Sequence, residues 1–194
     1  MRAKPMLLRG KNRMVAAAFC SSAAGIAVSL AVAPDWHGVF GAGLAVIMCV
    51  IAAIDARYFI IPDELSIAAI VLALAAARLG PAGSADEVAW AVARGAVLAL
   101  LFLILKVAYR AFRKKDGVGM GDVKLAGVAG VWLGWQTAAI TIEFAALSAL
   151  ISYTVCCCLF KRSLRTNAFL PFGLFFAPAI WLGWLIEAVQ ISPP

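Results

Sequence analysis

The sequence predicts an all-α polytopic membrane protein with about seven transmembrane helices and a cytoplasmic N-terminus. The 194-residue chain is 64% hydrophobic and only 14% charged, and its mean hydropathy is +0.97. A soluble domain averages about 45–50% apolar and roughly 25% charged residues. Apolar runs separated by short polar segments recur along the chain. No polar stretch is long enough for a separate soluble domain, so residues 1–194 are predicted to form one membrane-embedded domain.

The first predicted span follows a basic segment, residues 1–13, and covers residues 14–33. This uncharged run of 20 residues is long enough to cross about 30 Å of hydrocarbon. The alternative is a cleaved signal peptide, because Ala31-Val32-Ala33 fits an A-x-A cleavage site. A retained helix is favoured, since the run exceeds the usual ~7–15 apolar residues of a signal peptide and Pro34 would begin the mature chain.

Six further spans follow, and several carry their own boundary or packing signals. The second is closed by Asp55. The third begins after Pro62-Asp63-Glu64, where a proline in the first turn and acids near the positive end of the helix dipole predict a helix start. Glycines in the fifth predict close helix packing in lipid. Spans two to seven are predicted at residues 39–54, 65–79, 88–109, 123–135, 137–160 and 168–186.

The basic residues predict the orientation of these spans. With the N-terminus in the cytoplasm, 15 of the 17 Lys and Arg residues fall on the inner side, and only Arg78 and Arg94 fall outside. Such an asymmetry is the usual pattern of multi-pass membrane proteins. The same orientation places Asp55 and Asp122 at the cytoplasmic side, at matching depth.

A polar, glycine-rich passage at residues 110–122 separates the fourth and fifth spans. It ends in Gly119-Met120-Gly121-Asp122. Glycines can adopt backbone conformations that other residues avoid and can let another helix approach closely. An acid at the mouth of a membrane helix is costly, so Asp122 is a functional candidate.

Two carboxyls at one depth are typical of aspartic-protease chemistry. Asp55 and Asp122 in a partly dehydrated site would share one proton, so that one activates water while the other protonates the substrate. The simpler interpretation is that each acid flanks a helix end. His37 is the only histidine and no CxxC pair occurs among the five cysteines, so neither a metal site nor a cofactor is predicted.

Three segments resemble the type IV prepilin peptidases. The passage Gly119–Leu125 is similar to their G-x-G-D motif, and the glycine-rich residues 126–135 continue the similarity. Residues 54–63, with an Asp followed by Ile-Pro-Asp, are similar to the segment of their first aspartate. The passage Pro171–Pro178 resembles their C-terminal Pro-Phe-Gly segment. The resemblance covers roughly residues 40–190.

This resemblance implies an aspartic endopeptidase of the bacterial inner membrane that works at its cytoplasmic face. Its substrates would be prepilins or pseudopilins, membrane-inserted helices whose short basic leader is removed. The matched catalytic positions are Asp55 and Asp122, with Gly119 and Gly121 in the active-site loop. Possible substrate-cleft residues are Asp63, Glu64, Pro171, Phe172 and Gly173. No nucleic-acid partner is expected.

One departure separates this chain from longer family members, which carry an N-terminal cytoplasmic domain with paired CxxC motifs and methylate the new N-terminus. The expectation is therefore a peptidase without methyltransferase activity, similar to the short branch that serves Flp (tight-adherence) pili. Two alternatives stay open. One is a different G-x-G-D intramembrane aspartyl protease; the other is a non-enzymatic proton-coupled transporter, whose acids would lie near the bilayer midplane.

The other charges carry weaker predictions. Lys114, Lys115 and Lys124 are interpreted as positive-inside charges. Asp63, Glu64 and Asp116 are better suited to attract a basic leader, although each also fits an ordinary solvated loop. Glu143 in span six is predicted to pair with Arg94 in span four.

Overall fold

The computed structural model describes residues 4–80, 83–114, 117–159 and 171–191, with side chains from residue 17 onward. Within these ranges all regular structure is α-helical, which confirms the predicted fold class. The helices are α1 (Lys4–Val32), α2 (Trp36–Tyr58), α3 (Asp63–Leu79), α4 (Ala85–Arg113), α5 (Met120–Trp132), α6 (Trp135–Leu159) and α7 (Phe172–Ile191). The basic loop at 161–167, Lys115 and Asp116 lie outside the described residues.

Four of these helices, α2, α4, α6 and α7, are long and apolar enough to cross a membrane. The prediction of about seven spans is therefore supported as a number of helices rather than as a number of full crossings. Helix α5 has 13 residues, and at 1.5 Å per residue it extends about 20 Å, short of the ~30 Å hydrocarbon core. It ends at Trp132 instead of residue 135.

The sequence of α5 is as apolar as that of a membrane span because the helix is enclosed by other helices. Nine of its residues are buried, and it packs on α3, α4 and α7. Helix α2 packs on α1, α3 and α7, while α6 packs mainly on α7. The short apolar helix therefore occupies the centre of the bundle, where its sequence need not match the thickness of the bilayer.

Glycines bring α4 and α5 together as the sequence predicts. A Cβ added to Gly130 would lie 2.6 Å from the carbonyl oxygen of Arg94, and one added to Gly95 would lie 3.0 Å from that of Gly127. The first distance is shorter than a real Cβ contact and the second is tighter than most, so glycine at these positions lets the two backbones approach closely.

The predicted pair between Arg94 and Glu143 is wrong. The Arg94 Nε donates to the carbonyl oxygen of Gly130 at 3.3 Å, and Glu143 is exposed on α6. The main partner of α4 is α5 and that of α6 is α7, so the two side chains face different neighbours. The carboxylate that bonds near the start of α6 is Glu187, which accepts the Gly134 N–H at 2.8 Å.

Candidate active site

Asp55 lies in the last turn of α2 and is only 5% exposed. Its Oδ2 accepts the backbone N–H of Leu174 at 2.9 Å, and the Gly173 N–H also interacts with the carboxyl group. Both donors lie in the first turn of α7, where N–H groups have no partner within the helix. A helix N-terminus also favours a negative charge. The Pro-Phe-Gly segment thus builds a helix start that holds Asp55.

Gly173 is required by the closeness of this contact. A Cβ at this position would lie 2.8 Å from Asp55 Oδ2 and 2.9 Å from the Cδ1 of Ile61. The Asp55 carboxyl and the Ile61 side chain are both buried, with 5% and 6% of their surface exposed. Any larger residue would push the start of α7 away from Asp55.

Asp122 lies in the first turn of α5 and is half-buried. Its Oδ2 accepts the Gly119 N–H at 3.0 Å, an N-terminal cap that orients the carboxyl. Burial raises the pKa of Asp122 to about 6, and the negative charge of Asp55 raises this pKa further within that total. The hydrogen bond from Gly119 and the positive charge of Lys106 both lower it. The two carboxyls are therefore within electrostatic range of each other.

Ile61 lies between the two helix starts. It is 6% exposed, and its Cδ1 would meet a Cβ added to Gly121 at 2.8 Å or one added to Gly173 at 2.9 Å. The chain returns from α2 toward Ile61 through Phe59, which adopts a left-handed conformation with φ 54°. Two glycines, one on α5 and one on α7, therefore both approach the end of the Ile61 side chain beside Asp55.

The glycines of the G-x-G-D segment serve close approach rather than unusual backbone geometry. Among the described residues, no glycine has a positive φ. Gly119 is the N-cap of α5 with φ −69°. Gly121 lacks the Cβ that would collide with the side chain of Ile61. The polar passage is also shorter than predicted, because α4 continues to Arg113.

Asp63 and Glu64 occupy the first turn of α3, as their sequence predicts. Asp63 forms an ion pair with Lys124 of α5, so this lysine, predicted only as a positive-inside charge, links the starts of α3 and α5. Glu64 is exposed. Pro171 precedes α7, and the ring of Phe172 packs on that of Phe176 at 5.2 Å between centroids.

Sequence reasoning missed Ile61, Leu174 and Lys106 as residues of the site. A signal for Leu174 was available, because a proline followed by an apolar run marks a helix N-terminus and its free N–H groups bind anions. No local pattern indicates that Ile61 packs against glycines of two other helices.

The arrangement supplies two carboxyls, each held through one oxygen by backbone N–H groups at a helix start. A pair of this kind can hold one proton and polarise a water molecule. Within the part of the chain that the structure describes, no group of three or more His, Cys, Asp or Glu residues is placed to hold a metal ion.

Comparison with known proteins confirms the resemblance to the prepilin peptidases. Residues 42–159 match the type IV leader peptidase family. Relatives named prepilin leader peptidase/N-methyltransferase include one from Escherichia coli, 33% identical over 163 residues, which cover 82% of this chain and 70% of that protein. One from Aeromonas hydrophila is 30% identical over 161 residues, covering 82% and 53%. One from Pseudomonas aeruginosa is 32% identical over 133 residues, covering 68% and 44%.

The chain spans about half the length of two of these curated relatives, 53% of the Aeromonas hydrophila protein and 44% of the Pseudomonas aeruginosa protein. No solved structure matches the chain.

Proposed function

Because this chain belongs to the type IV leader peptidase family, we propose that it is a membrane aspartic endopeptidase that removes the basic leader of prepilins or pseudopilins. The observation that carries the proposal is the placement of Asp55 and Asp122. The α7 start fixes Asp55, the α5 start carries Asp122, and the charge of the first acts on the pKa of the second.

In this proposal Asp122 holds the shared proton and Asp55 is the base. Asp122 uses Oδ2 to accept from Gly119, which leaves Oδ1 for the proton. Asp55 removes a proton from a water molecule as that water attacks the scissile carbonyl, and Asp122 protonates the carbonyl oxygen. The proton that Asp55 has gained then passes to the leaving amine. As the C–N bond breaks, Asp122 takes a proton back from a hydroxyl of the tetrahedral diol, which becomes the new carboxyl group. Asp55 is then again ionised and Asp122 again protonated.

The proposed location is the cytoplasmic face of the bacterial inner membrane. Asp55 lies in the last turn of α2 and Asp122 in the first turn of α5. Arg57 follows Asp55, and the segment before Asp122 is rich in Lys and Arg, which is typical of the cytoplasmic side. A prepilin whose leader joins its apolar helix at this interface would present its scissile bond at the depth of both acids.

Co-expression with candidate prepilins, followed by mass spectrometry of the pilin, tests the proposal. We expect the wild-type protein to remove the leader, and Asp55→Asn and Asp122→Asn each to abolish removal. Asp86→Asn is the matched control, because Asp86 is an exposed acid in the first turn of α4. If either active-site variant cleaves at the wild-type rate, the proposed dyad is wrong.

The same measurement addresses the finer expectations. The mass of the processed pilin shows whether its new N-terminus is methylated, and we propose that it is not. A comparison of Flp-type prepilins with other prepilins tests the proposed preference for the Flp system. Cleavage of an unrelated signal peptide at an equal rate would favour a general intramembrane protease instead.

A further inference from the structure

A groove of small side chains lies between α1, α2 and α7, with a volume of 440 Å³. Its lining is almost entirely apolar, and the hydroxyl of Ser21 is bonded to its own helix at the carbonyl of Ala18. The lining residues used below are Ser21, Cys49, Ala53, Ala56, Leu174 and Pro178. Small side chains on adjoining helices form a surface that another helix can approach closely.

One end of this groove adjoins the candidate active site. Leu174 lines the groove and also donates its backbone N–H to Asp55. Ala56 lines the groove and directly follows Asp55 in α2. From there the lining continues along one face of α2 through Ala53 and Cys49, at the spacing of successive helical turns. The groove therefore extends from beside the buried acid toward the middle of α2.

We propose that this groove seats the apolar helix of the substrate just beyond the scissile bond. The inference rests on the proposed function, in which the substrate is a single-span prepilin with a basic leader. An apolar helix gains little from leaving lipid unless it packs closely, and small residues provide that packing. A helix seated here would also hold its scissile bond beside Asp55, which lowers the entropic cost of the reaction.

The geometry specifies the register of this complex. The substrate helix leads away from the cytoplasmic side, so it runs antiparallel to α2. Cys49 precedes Asp55 by six residues in α2, which corresponds to about 9 Å along the helix axis. The substrate residue level with Cys49 is therefore about the sixth beyond the scissile bond, at the same rise per residue.

Disulfide crosslinking through Cys49 tests this register. The enzyme would carry Asp122→Asn to keep the prepilin uncut and alanine at Cys20, Cys156, Cys157 and Cys158. Single cysteines are then placed along the prepilin helix. We expect crosslinking to peak about five to seven residues beyond the scissile bond. The control enzyme carries Cys49→Ala with Ala146→Cys, at an exposed site on α6, and is expected to give only background.

A bulky side chain in the groove provides a second measurement. We expect Ala53→Leu to raise the KM for prepilin about tenfold while kcat changes little, because overpacking weakens binding in both ground and transition states. Ala146→Leu is the matched control on α6. Wild-type kinetics in Ala53→Leu, or crosslinking through Cys49 no stronger than the control, would overturn the inference. Failure of the wild-type protein to cleave any prepilin would instead refute the proposed function.

Discussion

The backbone N–H of Leu174 donates to the carboxyl of Asp55 across 119 residues of sequence, at 2.9 Å. The bond joins the last turn of α2 to the start of α7. It gives the Pro-Phe-Gly segment a physical role, since a helix N-terminus both hydrogen-bonds and electrostatically favours a carboxylate. The position of Asp55 therefore depends on how closely α7 can approach it.

Gly173→Ala tests this dependence. The added Cβ would lie 2.8 Å from Asp55 Oδ2, so the start of α7 must move away and the carboxyl loses its orientation. We expect prepilin cleavage to fall by about 10²-fold, the order expected for a misplacement of ~1 Å at a catalytic group. Cleavage kinetics on purified protein measure the effect.

Gly127→Ala is the matched control for that substitution. A Cβ at Gly127 would meet the Cβ of Ala99 at 3.5 Å, an ordinary van der Waals contact. This variant should retain near-wild-type cleavage. Equal activity in both variants would show that the approach of α7 does not position Asp55.

Ile61 is expected to support the site through packing. Ile61→Ala removes a buried side chain between two glycines and should destabilise the protein by about 2–5 kcal/mol, whereas Ile61→Val should cost about 0.5–1.5 kcal/mol. Unfolding in detergent measures both values. Cleavage should fall in the same order, Ile61→Ala below Ile61→Val. An Ile61→Ala variant as stable and active as the wild type would contradict this packing role.

Asp122 is expected to reduce stability at neutral pH. Its pKa is raised by burial from 3.8 to about 6, so the folded protein binds this proton more tightly than the unfolded chain does. Ionisation therefore costs stability progressively as pH rises from about 4 to about 6, and the full cost persists above pH 6.

The variant Asp122→Asn removes this cost, and Asn can still accept from the Gly119 N–H. We expect its melting temperature in detergent to exceed that of the wild type at pH 7.5 and the difference to shrink toward pH 4. The gain in stability should accompany the loss of cleavage. A melting difference that is constant across this pH range would contradict the assignment of the raised pKa to Asp122.

The ion pair between Asp63 and Lys124 should contribute little to stability, because the Asp63 side chain is 65% exposed. Exposed pairs contribute about 0–1 kcal/mol. We expect Asp63→Lys to lower the free energy of unfolding by the loss of this pair, at most about 1 kcal/mol, and by the repulsion between the new lysine and Lys124. The double variant Asp63→Lys/Lys124→Asp, which reverses the pair, should restore the wild-type stability. The unfolding midpoints of the two single variants and the double variant give the coupling. An additive double variant would mean that the pair does not link α3 to α5.

The membrane class, the succession of helices and the family could all be predicted from the sequence alone. Apolar composition, the asymmetry of Lys and Arg, and the helix start at Pro62-Asp63-Glu64 are local or cumulative features, so they can be read without coordinates. The order of the G-x-G-D, Ile-Pro-Asp and Pro-Phe-Gly segments led to Asp55 and Asp122 as candidates. The same patterns do not distinguish α5 from a full crossing, because burial by protein and burial by lipid select the same apolar residues.

The surroundings of the two acids could not be predicted from the sequence, because they depend on how the helices pack. The N–H donors of α7, the place of Ile61 between Gly121 and Gly173, and the pairing of Asp63 with Lys124 all join residues distant in sequence. Arg94 likewise bonds a backbone carbonyl of α5 instead of Glu143. A backbone N–H donor cannot be identified from the residue type, because nearly every residue has one. The role of a glycine in close packing can be identified only when the neighbouring residue is known. The contacts that hold Asp55 therefore arise from the packing of the helices and not from any local sequence pattern.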